Sequence, residues 1–213
     1  MLNLKLNADS PLNILCLGAH SDDIEIGCGG TMLYLKEKYN IGHVSWIVFS
    51  ASVLRAKEAT KSANLFLENV SSKHVEIKSF RDGFFPQQGG EIKEFFEKMK
   101  LDISYDLVFT HYRHDRHQDH RTISDLTWNT FRNHLVLEYE TPKYDGDLGT
   151  PNVFVPLDEK IIARKNDILL KSFTSQTSKH WFDAETFNAL PRLRGMEAAV
   201  KYAEAFYGRK VLL

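Results

Sequence analysis

The chain has 213 residues, 43% of them hydrophobic and 26% charged, a balance that suits one well-filled core better than two domains. A formal net charge of -1 with no Lys/Arg cluster excludes the basic field that draws in nucleic acid, so the expected partner is a small molecule. Only Cys16 and Cys28 are present, which suits reduced interior thiols. The longest apolar run near the start, Ile14 to Leu17, is too short for a signal-peptide core or a membrane span, so a cytoplasmic location is expected.

From Leu12 to about His134, apolar runs alternate with amphipathic stretches, the pattern of repeated βα units around a parallel sheet. Leu12 to Gly18 reads as a buried strand, and a helix from Ile24 to Tyr39 places Ile24, Cys28, Met32 and Leu35 on one stripe. His43 to Ser50 is the second strand. The helix predicted over Val53 to Leu67 turns Val53, Ala56, Ala63 and Leu67 to the sheet and leaves Lys57, Glu58 and Lys61 in water. Val75 to Phe80 is a third strand. A loop marked by Phe84-Phe85-Pro86 and Gly89-Gly90, a short helix over Glu91 to Lys100, a fourth strand over Tyr105 to Thr110 and a helix after His120 follow.

Beyond Leu135 the pattern is less regular. Pro142, Gly146, Gly149 and Pro151 punctuate a loop before the apolar segment Asn152 to Pro156 and a helix over Asp158 to Leu170. Leu193, Met196, Val200, Ala203 and Tyr207 recur at helical spacing and predict a C-terminal helix after Pro191. The expected fold class is α/β: a single Rossmann-like domain with a mostly parallel, doubly wound sheet and flanking helices. In a sheet of order 3-2-1-4-5, the loops after the first and fourth strands face each other across one crevice.

Those two loops carry the chemistry. His20-Ser21-Asp22-Asp23 follows the first strand and His117-Gln118-Asp119-His120 follows the fourth, offering imidazoles and carboxylates in the numbers a catalytic zinc needs. Such an ion takes three protein ligands, leaves a position for water, and works only with a further acid or base beside that water. A plainer reading exists for single residues. Asp22 before a helix caps free N–H groups and forms a capping box with Glu25, Asp119 can cap the next helix, and His111 and His114 can simply be solvated. Capping, however, needs no imidazole at position 20, and the spacing of His117 and His120 brings both rings to one side of a first helical turn. Gly27-Cys28-Gly29-Gly30 lacks the G-x-G-x-x-G spacing of a phosphate loop and lies inside its helix, where close packing accounts for it.

The two stretches resemble the A-H-P-D-D-x-E and H-x-D-H motifs of the LmbE-like (PIG-L) zinc-dependent N-deacetylases. The resemblance extends through Arg55-Ala-Lys-Glu58, Arg81-Asp82-Gly83, Arg194-Gly195 and Ala203-Glu204-Ala205-Phe206, so it spans residues 1–213 as one domain. It implies a Rossmann-like fold, Zn2+ as cofactor, and hydrolysis of an N-acetyl group from an amino sugar such as an N-acetylglucosamine glycoside or conjugate. By position, His20, Asp23 and His120 would be zinc ligands, Asp22 the base, and His117, protonated and steadied by Asp119, the stabiliser of the oxyanion. Arg55 and Asp82 would grip sugar hydroxyls. Two departures stand out: Ser21 replaces the family's proline, and Phe173-Thr-Ser175-Gln176 lacks the histidine of an H-x-S-Q pattern. The alternatives are an amidase of the same mechanism acting on a non-sugar amide and a non-catalytic Rossmann-like binding protein. Nothing in the sequence sets the oligomeric state, which leaves room for a homo-oligomer.

Overall fold

The computed structural model of the protein describes residues 3, 5, 6 and 10–211, so most of residues 1–10 lie outside the described part. Strands β1 (Leu12–Gly18), β2 (Ile41–Val48), β3 (Lys73–Ile77), β4 (Leu107–His111) and β5 (Leu135–Tyr139) are mutually parallel, and β7 (Tyr202–Gly208) runs antiparallel between β5 and β6 (Val153–Leu157). The sheet order is β3-β2-β1-β4-β5-β7-β6, so the expected 3-2-1-4-5 arrangement is present and extended at one edge by the β6–β7 pair.

The period-2 alternation of β1 divides its side chains between two cores. Ile14 and Cys16 join Trp46 and Phe109 under α1 (Asp23–Lys38), α2 (Val53–Phe66) and α5 (Glu159–Ser172). Leu15 and Leu17 join Phe49 and Val108 under α3 (Gly89–Asp102) and α4 (Gln118–Thr130). Each such side chain, fully withdrawn from water, contributes about 1.5–3 kcal/mol. Because both faces are covered, the inner strands read as continuous apolar runs. The glycines of α1 serve close packing: a Cβ at Gly27 would enter the Tyr139 ring, and one at Gly30 would lie 2.6 Å from Leu157 Cδ1. No helix among the described residues is long and apolar enough to cross a membrane.

The structure corrects three local expectations. The predicted C-terminal helix is instead α6 (Ala184–Glu197), with Pro191 inside it, followed by β7. Its end is a Schellman motif, in which Val200 N–H donates to Gly195 O, Ala199 N–H donates to Met196 O, and Ala199 takes φ +58°. Val200, Ala203 and Tyr207 therefore lie beyond the helix, while Leu193 and Met196 face solvent. The two alanines of Tyr202-Ala-Glu-Ala-Phe-Tyr-Gly favour helix by propensity, and burial in the sheet overrides them. On α2 the buried face is Glu58, Ala59, Ser62, Ala63 and Phe66, and Val53 is exposed. Glu58 is inside because its carboxylate accepts from Ser175 N (2.8 Å), Ser175 Oγ (2.6 Å) and Thr174 Oγ1 (3.2 Å). Nor does Asp22 cap α1: it stands at the N-cap without a side-chain cap bond, and Glu25 is buried with both oxygens unpartnered.

Candidate metal centre

β1 and β4 are neighbours, with Ile14 beside Leu107 and Cys16 beside Phe109. Their C-terminal loops consequently meet. His20 Nδ1 lies 3.2 Å from His120 Nε2 and 3.4 Å from Asp23 Oδ2, and Asp23 Oδ2 lies 3.5 Å from His120 Nε2. A tetrahedral ion with ligands at about 2.0–2.1 Å separates its donors by about 3.3–3.4 Å. The three donor atoms thus have both the chemistry and the mutual spacing of a zinc-type site.

Carboxylates stand behind each imidazole. His120 Nδ1 is 2.9 Å from Asp115 Oδ2, and His20 Nε2 is 3.1 Å from Asp82 Oδ1 and 3.3 Å from Asp119 Oδ2. Such partners fix the tautomer that leaves the other ring nitrogen free for a metal. His111, which sequence reasoning left open, is fully buried, stacks on His120 with ring centroids 3.9 Å apart, and brings Nε2 within 3.3 Å of Asp23 Oδ2. His114 is exposed. Besides this triangle, three overlapping groups of described residues could hold an ion: His20 with His117 and His120, Asp23 with His111 and His120, and His20 with Asp82, His117 and Asp119.

The electrostatics drive the two adjacent carboxylates in opposite directions. Burial pushes at Asp23, but His120, His111 and His20 outweigh it and hold that carboxyl well below its usual range, as a ligand requires. Asp22 behaves oppositely: burial raises its carboxyl, and Arg55, at 2.9 Å from Oδ1, only moderates the rise. Burial lowers His120, with the neighbouring His111 adding to the effect, which keeps the ring neutral and able to ligate.

Two predicted partnerships are rearranged. The Asp119 carboxylate accepts from Gly83 N (2.7 Å) and Phe85 N (3.1 Å) and faces His20, so it orders the loop after β3 and does not grip the His117 ring. His117 meets Asp119 through the backbone, Nδ1 accepting from Asp119 N at 3.2 Å. Burial and the charges of His120 and His20 then lower His117. Arg55 points at Asp22, with Phe173 5.2 Å from its guanidinium carbon, and Asp82 is exposed at the rim. The crowding of Asp and His over residues 111–120 was the signal for Asp115, while nothing local marked Lys143, whose Nζ lies 2.9 Å from Asp115 Oδ2.

The fold is shared with solved proteins of differing chemistry. N,N'-diacetylchitobiose deacetylase from Pyrococcus horikoshii superposes with TM-score 0.70 at 19% identity, covering 92% of this chain and 83% of that one. GalB, a 4-carboxy-2-hydroxymuconate hydratase from Pseudomonas putida KT2440, does so with TM-score 0.69 at 14% identity over 95% of this chain and 98% of its own. In sequence, the chain is 27% identical over 147 residues to the uncharacterized deacetylase YaiS of Escherichia coli K12, covering 64% of this chain and 77% of that protein. Residues 15–131, more than half of the chain and inclusive of both motifs, match the family model for GlcNAc-PI de-N-acetylases, and the chain belongs to that PIG-L family.

Proposed function

We propose that the protein is a zinc-dependent hydrolase that removes the N-acetyl group from an N-acetylglucosamine-type glycoside or conjugate, releasing acetate and a free amine in the cytoplasm. The observation that carries this reading is the triangle of His20 Nδ1, Asp23 Oδ2 and His120 Nε2 with edges of 3.2–3.5 Å, beside a buried Asp22 that belongs to none of its edges. The fold does not select the reaction, since it also supports a hydratase, so the choice rests on the site and the family.

His20, Asp23 and His120 hold the ion, which when bound acidifies water and polarises the amide carbonyl. Asp22 takes the proton from the attacking water. Its raised carboxyl suits a base working near neutrality, and Arg55 fixes the oxygen that does not take the proton. His117 Nδ1 accepts from Asp119 N, so Nε2 carries the hydrogen and donates to the oxyanion while the ring stays neutral. The proton held by Asp22 passes to the nitrogen as the C–N bond breaks. Asp82, at the rim, contacts the sugar.

The test is Asp22→Asn, with mass spectrometry reading loss of acetyl from N-acetylglucosamine conjugates and elemental analysis reading metal. The expected result is full zinc content with nearly all turnover gone. Wild-type protein that holds zinc but turns over none of a broad panel of acetylated sugars and simple amides would instead make it a binding protein.

A further inference from the structure

The segment between β5 and β6, residues 140–152, lies outside every motif and is pinned at both ends of a closed ring. Glu140 Oε1 accepts from Gly149 N at 3.1 Å, and Arg194, buried against Glu140, donates from Nη2 to Gly149 O at 3.0 Å. The ring presents Lys143 and Asp147 inward. Lys143 Nζ reaches Asp115 Oδ2 at 2.9 Å and Asp147 Oδ1 at 2.6 Å, while Asp147 Oδ2 accepts from Arg116 N at 2.6 Å. Asp115 is 2% exposed, with Oδ1 accepting from His117 N at 2.8 Å and Oδ2 shared between Lys143 and His120 Nδ1.

We propose that Lys143 is a positioning residue of the metal centre: from the segment pinned at Glu140 and Gly149 it holds the Asp115 carboxylate against His120 Nδ1, so that His120 presents Nε2 to the ion. The inference rests on the reading of His120 as a ligand. A buried carboxylate without its ammonium partner keeps one backbone donor but loses its counter-charge and the fixed direction of Oδ2. His120 then loses the partner that fixes its ring, a defect that lowers metal affinity about 10–100-fold in comparable sites.

Metal-stripped wild-type protein and variants are titrated with zinc against a chromophoric chelator, and thermal melts of the apo forms are recorded alongside. Lys143→Met should lower the apo melting temperature, because Asp115 loses its counter-charge, and while fully folded at the titration temperature should bind zinc about tenfold more weakly; Lys143→Arg should restore most of the affinity, and Asp115→Asn should lose about 10–100-fold. Asp147→Asn, a milder change in the same segment, should lose a smaller factor in the same direction and serves if Lys143→Met does not fold. Tight zinc binding by wild type with unchanged affinity in Lys143→Met, or in Asp147→Asn where it stands in, overturns the role of Lys143 alone. Failure of wild type to bind zinc overturns both this role and the proposed function.

Discussion

Lys165→Met should destabilise the protein far more than the loss of two hydrogen bonds suggests. Lys165 Nζ, on α5, donates to Ile26 O at 2.7 Å and to Glu204 Oε1 at 2.6 Å, and Glu204, on β7, accepts from Gly30 N at 2.9 Å and Thr31 N at 2.6 Å. The pair thereby engages backbone groups of α1 one to two turns after Asp23. Both side chains are 3% exposed or less. Two neutral hydrogen bonds are worth about 1–3 kcal/mol together, but removing one partner of a buried pair leaves an uncompensated charge and costs about 3–5 kcal/mol. For a domain of this length each kcal/mol moves the midpoint about 2–4 °C, so the melting temperature should fall by about 6–20 °C. Lys165→Met/Glu204→Gln should recover at least half of that loss, because the amide carries no orphan charge and its oxygen still accepts from the α1 backbone. Urea unfolding at pH 7 with constant m-value reads both numbers. A single variant within 1 kcal/mol of wild type, or a double variant less stable than the single, would refute the argument that charge compensation dominates.

Two further outcomes follow from buried groups in and beside the site. Glu25 is pushed up to about 8 by burial, against 4.5 in the unfolded chain, so the folded state favours its neutral form and stability is lost as pH rises from about 4.5 to 8. Glu25→Gln, neutral throughout, should match wild type near pH 4 and exceed it by up to about 5 kcal/mol above pH 8; parallel unfolding curves at the two pH values would disprove the assignment. His117→Ala should lower kcat about 10²–10³-fold, and His117→Gln should lower it less, because an amide N–H also donates to an oxyanion. Equal losses in the two variants would mean that a neutral donor does not suffice and that His117 acts in its protonated form, as expected from the sequence.

What could be read from the sequence follows from which forces are local. β1, its helix and the motif after it were legible because a short apolar run, a 3.6-residue periodicity and a loop of His and Asp each leave a mark within a few residues. The meeting of His20 with His120 was legible one step further on, since an open parallel sheet brings the ends of β1 and β4 to one crevice. The orientation of α2 was not, because Glu58 is held inside by hydrogen-bond donors 116–117 residues away on Thr174 and Ser175. Likewise β7 was hidden: its alanines favour helix by propensity, and only pairing with β5 and β6 makes it a strand.

The same distinction explains why the Arg55–Asp22 pair was not legible. As an exposed helix-start cation Arg55 reads as a hand for sugar hydroxyls, yet the turn after β1 places Asp22 2.9 Å from its guanidinium. A buried carboxylate that must take up and release a proton needs a neighbour that holds its direction without quenching its basicity. Burial of Asp22 raises the carboxyl and Arg55 offsets the rise only in part, the balance that the proposed base requires. Asp23, one residue on, lacks such a balance because imidazoles surround it, and it stays an anion fit to bind a cation. Adjacent aspartates of identical intrinsic chemistry are therefore driven in opposite directions by what the neighbouring strands and helices bring to each, and the proposed division into base and ligand rests on that difference.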